Sequence, residues 1–480
     1  MLGNYLKNGN NQPFVVYGRG GSGKTALLSQ LCKLLRSDWE SLLGPQAILI
    51  LRFCGSTPDS NSVVLLLKSI CLQLSYNYNM DPDKVPEELA PLVIFLREIL
   101  ASASSNQPIL IVLDSIDEIS TDPDKSSLSW LPTDLPKNCK FLISVTKEPD
   151  VQSESHDYTH HYHVLANKFR ENMLELPELG PELGLKIIYS MMEKNKRILT
   201  NFHNRLVLNS LEKCSLPVFC RLIFAEVVRW KSYTTQQNTF LASSVTEAIT
   251  LLFSNLEEKH GWFLVAHTLS YVTAAKNGIT DSEMDDLLSL DDEVLDDLFQ
   301  YHLPPTRRVP PLLWTRLRAD LPGYLVDSEA DGVLVTNWYH RQFREAAKQR
   351  YLSNPTHFAN YHNLIGDFFL GTYGGGVPKP FRYTEQQRHR FGLRSKDASE
   401  DRKVPDMPMF FGSEKSGNIR YNLRKLGELP FHLVRSGRLK DLASHCLFNY
   451  DWLHAKLSAY PLSGVLSDFE DAIKFMNGKN

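Results

Sequence analysis

Cysteine is scarce in this chain: seven among 480 residues, odd in number and never in a C-x-x-C pair. That excludes a disulfide framework and a cysteine-rich zinc module, and it points to free, buried thiols in a reducing, cytoplasmic compartment. Long hydrophobic runs are missing as well. No uncharged apolar stretch reaches the roughly 18 residues needed to span a bilayer. The opening segment MLGNYLKNGNNQPFVVYG lacks a charged region followed by an apolar core, so no signal peptide is expected. Nor is there an excess of charge of one sign. Lys+Arg 52 against Asp+Glu 55 gives a net charge of -3, which does not suit a globally basic nucleic-acid binder. Propeller-like repeat spacing is absent too, and Asp451-Trp452 has the Trp-Asp signature in reverse order. What remains is an ordinary folded composition, 42% hydrophobic and 22% charged, in a chain long enough for about three or four units.

The first third alternates strand and helix. Pro13 to Tyr17 is a short apolar run entering a glycine cluster, and Lys24 to Leu35 has Leu27, Leu28, Leu31, Leu34 and Leu35 along one side. Ala47 to Phe53, Ile109 to Leu113 and Lys140 to Val145 read as further strands, with Met173 to Leu176 as a fifth. Leu-rich helices are expected over Ser62 to Leu74 and Glu87 to Ala101. Strands that are continuously apolar, rather than alternating, fit a parallel sheet covered on both faces.

Gly18-Arg19-Gly20-Gly21-Ser22-Gly23-Lys24-Thr25 matches G-x-x-x-x-G-K-[ST], after a strand and before a helix. In that setting backbone N–H groups converge on phosphate oxygens, the helix N-terminus adds its dipole, Lys24 reaches the β- and γ-phosphates and Thr25 holds magnesium. The run ILIVLDSIDE (residues 109–118) supplies the other half: an apolar strand delivers Asp114 to the metal, at the carboxyl end of the sheet where Thr25 also falls. Asp117 and Glu118 lie just beyond, where a base could orient an attacking water. Which of the two would do so is open, and a solvated loop or helix N-terminus is the competing reading for both.

With Asp-Ser-Ile-Asp-Glu in place of a bare strand-end Asp, the pair of motifs resembles the NACHT group of STAND P-loop ATPases. Two other segments are similar to the NACHT and WD repeat proteins of that group: RFCGSTPDSNSVVLLLKSICLQL (Arg52 to Leu74) and NLRKLGELPFHLVRSGR (Asn422 to Arg438). The resemblance also extends to the NACHT region of telomerase-associated protein. It implies an α/β P-loop NTPase domain with a parallel sheet over residues 1–176, a helical domain over 177–252, a winged-helix domain over 253–355, and a mostly helical remainder over 356–480 with a flexible insertion near 371–415. It implies ATP/ADP and Mg2+ as cofactors and slow hydrolysis. It also implies a switch that self-associates when ATP-bound and controls a signalling complex, with protein partners reached through repeats absent from this chain. Only seventeen residues precede Gly18, where the family has an upstream segment at the adenine, so the chain is expected to be part of a longer one. Three further residues are carried over. Pro217, in CSLPVFCRLIF, would pack on adenine; a plain helix-start proline is the alternative. His340, in WYHRQFREAA, would contact the β-phosphate of ADP; a half-buried structural histidine competes. Lys147 stands where the family has an arginine that senses the γ-phosphate, keeping the charge but losing the planar fork. An ordinary turnover AAA-like ATPase and a non-hydrolysing, nucleotide-stabilised scaffold are the other function classes in view.

Elsewhere the readings are plainer. Pro181 to Val228 is helical, interrupted near Pro217. Thr280 to Glu283 is a capping box, and the nine acids between Asp281 and Asp297 read as a solvated helix face. Gly323 to Val326 and Val333 to Val335, joined by DSEADG, read as a hairpin. His156, His160, His161 and His163 cluster in an expected loop without the ligands of a zinc site, and Arg388, Arg390, Arg394, Lys396, Arg402 and Lys403 read as a solvated loop rather than an RNA contact.

Overall fold

A computed structural model describes the chain except residues 1, 8–10, 38–45, 58–59, 120–127, 149–156, 234–238, 301–306, 381–382, 384, 393–401, 413–418 and 479–480. It divides into two compact units, residues 1–248 and 249–480.

The first unit is built on a five-stranded parallel sheet. Strands β1 (Phe14–Gly18), β2 (Ile48–Phe53), β3 (Ile109–Asp114), β4 (Cys139–Thr146) and β5 (Met173–Glu175) lie in the order β2-β3-β4-β1-β5. Both faces are covered, which is why the strands read as unbroken apolar runs. On one face Ile50, Ile111, Leu113, Phe141 and Ile143 pack with Leu66, Ile70 and Leu74 of helix Val63–Asn77 and with Leu92, Leu96 and Ile99 of helix Leu89–Ala101. On the other, Phe14, Val16, Leu110, Val112 and Leu142 meet Leu28, Cys32 and Leu35 of helix α1 (Lys24–Ser37) and Tyr5. Three helices, Pro181–Lys194, Asn201–Lys213 and α2 (Pro217–Val227), follow the sheet. All seven cysteines are buried and free.

The histidine cluster is not a loop. Residues 157–168 form a helix, on which His161 and Leu165 share the buried face while His160 and His163 are exposed. Four-residue spacing puts 161 and 165 one turn apart, so His161 follows the apolar face inward. His156 lies outside the described residues.

The second unit centres on the almost wholly buried helix Trp262–Ala274. The capping box is present in both directions: the Thr280 hydroxyl accepts from Glu283 N–H, and Glu283 accepts from Thr280 N–H. The hairpin is longer than expected. Its strands, β6 (Leu325–Ala330) and β7 (Val333–Trp338), absorb DSEA, leaving Asp331 and Gly332 as the turn. Both have positive φ, 55° and 72°, the mark of a two-residue turn whose twist matches the flanking strands.

Two charged stretches expected to be solvated are so only in part: Asp281, Asp292, Glu293, Arg390 and Lys403 are exposed, whereas others are not. Glu283, Asp286 and Asp291 are buried, because each finds a partner: Arg424, Arg308, and the pair His267 and Tyr271. Arg402 is fully buried, donating to Asp292 and to the carbonyls of Lys379 and Pro380. A buried cation with these acceptors is part of the packing, not of a loop in water. Arg394 and Lys396 lie outside the described residues.

The segment Asn422 to Arg438 carries a polar seam through this unit. Arg424, Glu428 and His432 recur every four residues on helix Leu423–Arg435 and are all buried. Arg424 Nε and Nη2 donate to Glu283 at 2.9 Å each, Nη1 donates to Glu428 at 3.0 Å and Asp331 at 3.2 Å, and Nη2 donates to Gly278 O at 2.8 Å. These five bonds match all five guanidinium N–H groups. Glu428 also accepts from the backbone N–H groups of Lys276 and Asn277 at 2.9 Å each. Burial would raise the Glu428 carboxyl, but Arg424, His432 and the Asn277 N–H outweigh it and hold it down at about 2.

Candidate functional site

The parallel sheet ends its strands on one edge, and the register sets Gly18 opposite Thr146 and Phe53 opposite Asp114. From β1 the chain turns through Arg19 to Gly23 into α1. The turn closes with Ser22 N–H donating to Arg19 O at 3.1 Å, and Leu27 N–H to Gly23 O opens the helix. Gly23 has φ +94°, which a side chain would strain. Gly18 has no room for one: a Cβ there would lie 2.6 Å from Leu176 O and 2.9 Å from Ser22 Oγ.

Lys24 is buried at this turn, its Nζ donating to Gly18 O at 2.9 Å and Arg19 O at 3.0 Å. The next residue, Thr25, is hydrogen-bonded through its side chain to Asp114 at the end of β3. The expected metal pair is therefore together. Burial raises the Asp114 carboxyl above its usual range, partly offset by the hydroxyls of Ser144 and Thr25 and by the charge of Lys24, with Asp117 acting in the raising direction. A divalent cation and phosphates suit this donor set: a buried ammonium, a hydroxyl beside a carboxylate, and N–H groups at a helix start. The Ser22 hydroxyl, buried and with no hydrogen-bond partner among the described residues, fits the same ligand.

The two acids after β3 separate. Ser115 takes a left-handed conformation, φ 57° and ψ 55°, and starts the single turn Ile116–Glu118. Asp117 is buried and its Oδ1 accepts from Thr146 N–H at 3.1 Å, tying the turn to β4. Glu118 is half-buried over Gly55, where a Cβ would come within 2.5 Å of its own.

Lys147 follows β4. Its N–H donates to Gly18 O at 3.1 Å, while its ammonium stands over the rings of Tyr162 and Tyr17, 5.1 and 5.7 Å from their centroids. Glu148 Oε1 accepts from Gly20 N–H at 3.3 Å. Pro217 opens α2 beside the loop: its Cγ is 3.6 Å from where a Cβ on Gly23 would stand, and Val218 N–H points at Gly21 O at 3.4 Å. Glu178 joins these parts. It pairs with Arg19 at 2.5 Å and accepts from Ser215 N–H at 3.1 Å and Ser215 Oγ at 3.3 Å.

Gly18 to Thr25, Asp114, Asp117, Glu118, Lys147 and Pro217 thus converge in the first unit. His340 belongs to the second, where it caps helix Arg341–Tyr351 by accepting from Gln342 N–H at Nδ1. A neutral ring used in this way carries its proton on Nε2. Ser144, Glu148 and Glu178 were not singled out in the sequence. Only Ser144 left a signal, a lone hydroxyl inside the run FLISV that a fully covered strand must satisfy.

A phosphate loop on a parallel sheet, followed by a winged helix, defines a class, and comparison with known proteins agrees. The NACHT domain family matches residues 12–195, and the NWD1-like winged helix-turn-helix domain matches residues 231–359. The chain belongs to the NACHT-type P-loop NTPases. Within that class it is similar to the human NACHT and WD repeat domain-containing protein 2, with 30% identity over 100% of this chain and 28% of the relative. It is also similar to the human NACHT domain- and WD repeat-containing protein 1, with 33% identity over 98% of this chain and 29% of the relative. The mouse telomerase protein component 1 is 21% identical over 57% of this chain and 10% of its own length. The chain therefore spans less than a third of the length of these relatives. Among the described residues no helix is long and apolar enough to cross a membrane.

Proposed function

We propose that this chain is an ATP/ADP-governed switch with slow hydrolysis, whose nucleotide state controls self-association and the assembly of a signalling complex. The observation that carries the reading is the set formed by the buried Lys24 and Asp114 with the half-buried Thr25, around a glycine-rich turn whose buried Ser22 hydroxyl has no hydrogen-bond partner among the described residues. Lys24 would compensate the β- and γ-phosphates, and Thr25 and Asp114 would hold Mg2+. The cation, when bound, draws charge from the phosphate oxygens. Glu118 is the proposed base for water, because Asp117 commits an oxygen to Thr146 N–H. The seat of Lys147 on two tyrosine rings favours slow turnover over a fast AAA-like cycle, since a stored cation must leave its rings before it can serve a phosphate. The seven buried thiols suit a reducing, cytoplasmic setting. Partners would be proteins, met through repeats of the kind the relatives' names record.

Nucleotide released from the purified protein by denaturation and separated by anion-exchange chromatography tests this. Retained ADP, with a larger mass by light scattering after exchange for a non-hydrolysable ATP analogue, is the expected result. A protein that retains no nucleotide and shows no calorimetric binding of ADP or ATP overturns it.

A further inference from the structure

The nucleotide reading leaves one fully buried polar group at the site without a role. Ser144 lies on β4, one residue beyond the pair Leu113↔Ile143, and so beside Asp114. Its side chain has no solvent exposure. Two bonds meet at its oxygen. Ser115 N–H donates to Ser144 Oγ at 2.7 Å, and Ser144 Oγ donates to Asp114 Oδ1 at 2.6 Å.

The direction of both bonds is fixed by chemistry. A backbone N–H can only donate, so the hydroxyl accepts from Ser115 and turns its single proton to the carboxylate. The result is a directed chain, Ser115 N–H to Ser144 O–H to Asp114, in which each bond polarises the next. It holds Asp114 from the β4 side while Thr25 holds it from the loop side. It also pins the left-handed turn at Ser115, which leads into Asp117 and Glu118. That conformation is uncommon for a residue other than glycine, and a hydrogen bond inside the protein helps retain it.

We infer that Ser144 is a positioning residue for the metal site: its hydroxyl orients the Asp114 carboxylate toward a Mg2+ that accompanies bound nucleotide. The inference rests on the nucleotide-binding reading. In this role Ser144 contributes only through Asp114, so its effect appears in the affinity that Mg2+ adds and not in the affinity of the loop alone.

ADP affinity of the full chain is therefore measured by calorimetry twice, once with MgCl2 and once with EDTA, for the parent, Ser144→Ala and Ser144→Thr. In Ser144→Ala the gain conferred by Mg2+ should fall about tenfold, the scale of one hydrogen bond to a charged group, while affinity in EDTA stays within about twofold. Ser144→Thr, which keeps the hydroxyl, should restore most of the gain. An unchanged Mg2+ gain in Ser144→Ala overturns the inference and leaves the nucleotide reading standing. An equal loss with and without Mg2+ overturns it as well, since that is the mark of a merely structural serine. A parent that binds ADP without any gain from Mg2+ removes the metal role of Asp114 and the inference together, and a parent that binds no ADP refutes the nucleotide reading itself.

Discussion

Replacing Arg424 by Met tests the polar seam of the second unit. The guanidinium is the cation shared by three buried carboxylates, Glu283, Asp331 and Glu428, whose side chains are 8%, 2% and 0% exposed. Met has a similar reach and no charge. Removing one partner of a buried ion pair costs about 3–5 kcal/mol, because the charge left behind is neither solvated nor paired. In a body of 232 residues, 249–480, each kcal/mol moves the midpoint by about 2–4 °C, so a fall of roughly 6–20 °C is expected. The pH dependence gives a second signature. Glu428 titrates at about 2 in the folded protein against 4.5 for a free glutamate. A depressed folded pKa contributes stability that is full above about 4.5 and is lost as pH falls toward about 2. Without Arg424 the burial term is no longer outweighed, and Glu428 takes up a proton more readily. The deficit of the variant should therefore be larger at pH 7 than at pH 4. Thermal unfolding followed by circular dichroism at both pH values measures it. A midpoint shift under about 2 °C, or a deficit that grows on acidification, would refute the reasoning.

Other outcomes follow from the first unit. Lys24→Ala should weaken ADP and ATP binding by more than a hundredfold, since it removes a buried cation from a site built for phosphate; unchanged calorimetric affinity would remove the assignment. Asp114→Asn should lose the Mg2+-dependent part of binding, whereas Glu118→Gln should keep binding and slow single-turnover hydrolysis at least tenfold, and the reverse pattern would exchange their roles. His340→Asn separates cap from latch. Asn caps a helix as well as histidine or better, so the midpoint should hold, while ADP should dissociate about tenfold faster if the imidazole Nε2 serves a phosphate; equal off-rates by stopped flow would dismiss the latch.

The sequence was most informative where a local pattern has only one chemical use. Gly18 to Thr25 and the strand ending in Asp114 were legible because each is a short rule about backbone and charge. So were the five strands, because a sheet covered on both faces leaves apolar residues at consecutive positions. Long-range polar pairing was not legible. Glu283 and Asp286 read as a wet helix face until Arg424, 141 residues from Glu283, and Arg308 came to them. Arg402 read as loop because nothing in GTYGGGVPKP or its charged sequel discloses Asp292, 110 residues away. His340 read as a phosphate ligand or a packed ring, and its use as a helix cap depends on where the preceding strand stops. Ser144 lay in plain view, but its two partners are the last residue of the neighbouring strand and the residue that follows it.

The turn at Asp331 has a further meaning for what the winged helix can touch. In a winged helix used as a reader of nucleic acid, the hairpin tip is the part that reaches the sugar–phosphate backbone, and it does so with donors. Here the tip offers an acceptor, and that acceptor is already engaged. Asp331 takes hydrogen bonds from Asn277, Arg424 and Tyr460, the last at 2.7 Å. The hairpin serves as a brace, its end clasped by helix Leu423–Arg435 and the residue that follows helix Tyr450–Ala459. A ligand that sought this tip would first have to compete with an arginine, a phenol and an amide of the same chain, and would then face a bare carboxylate.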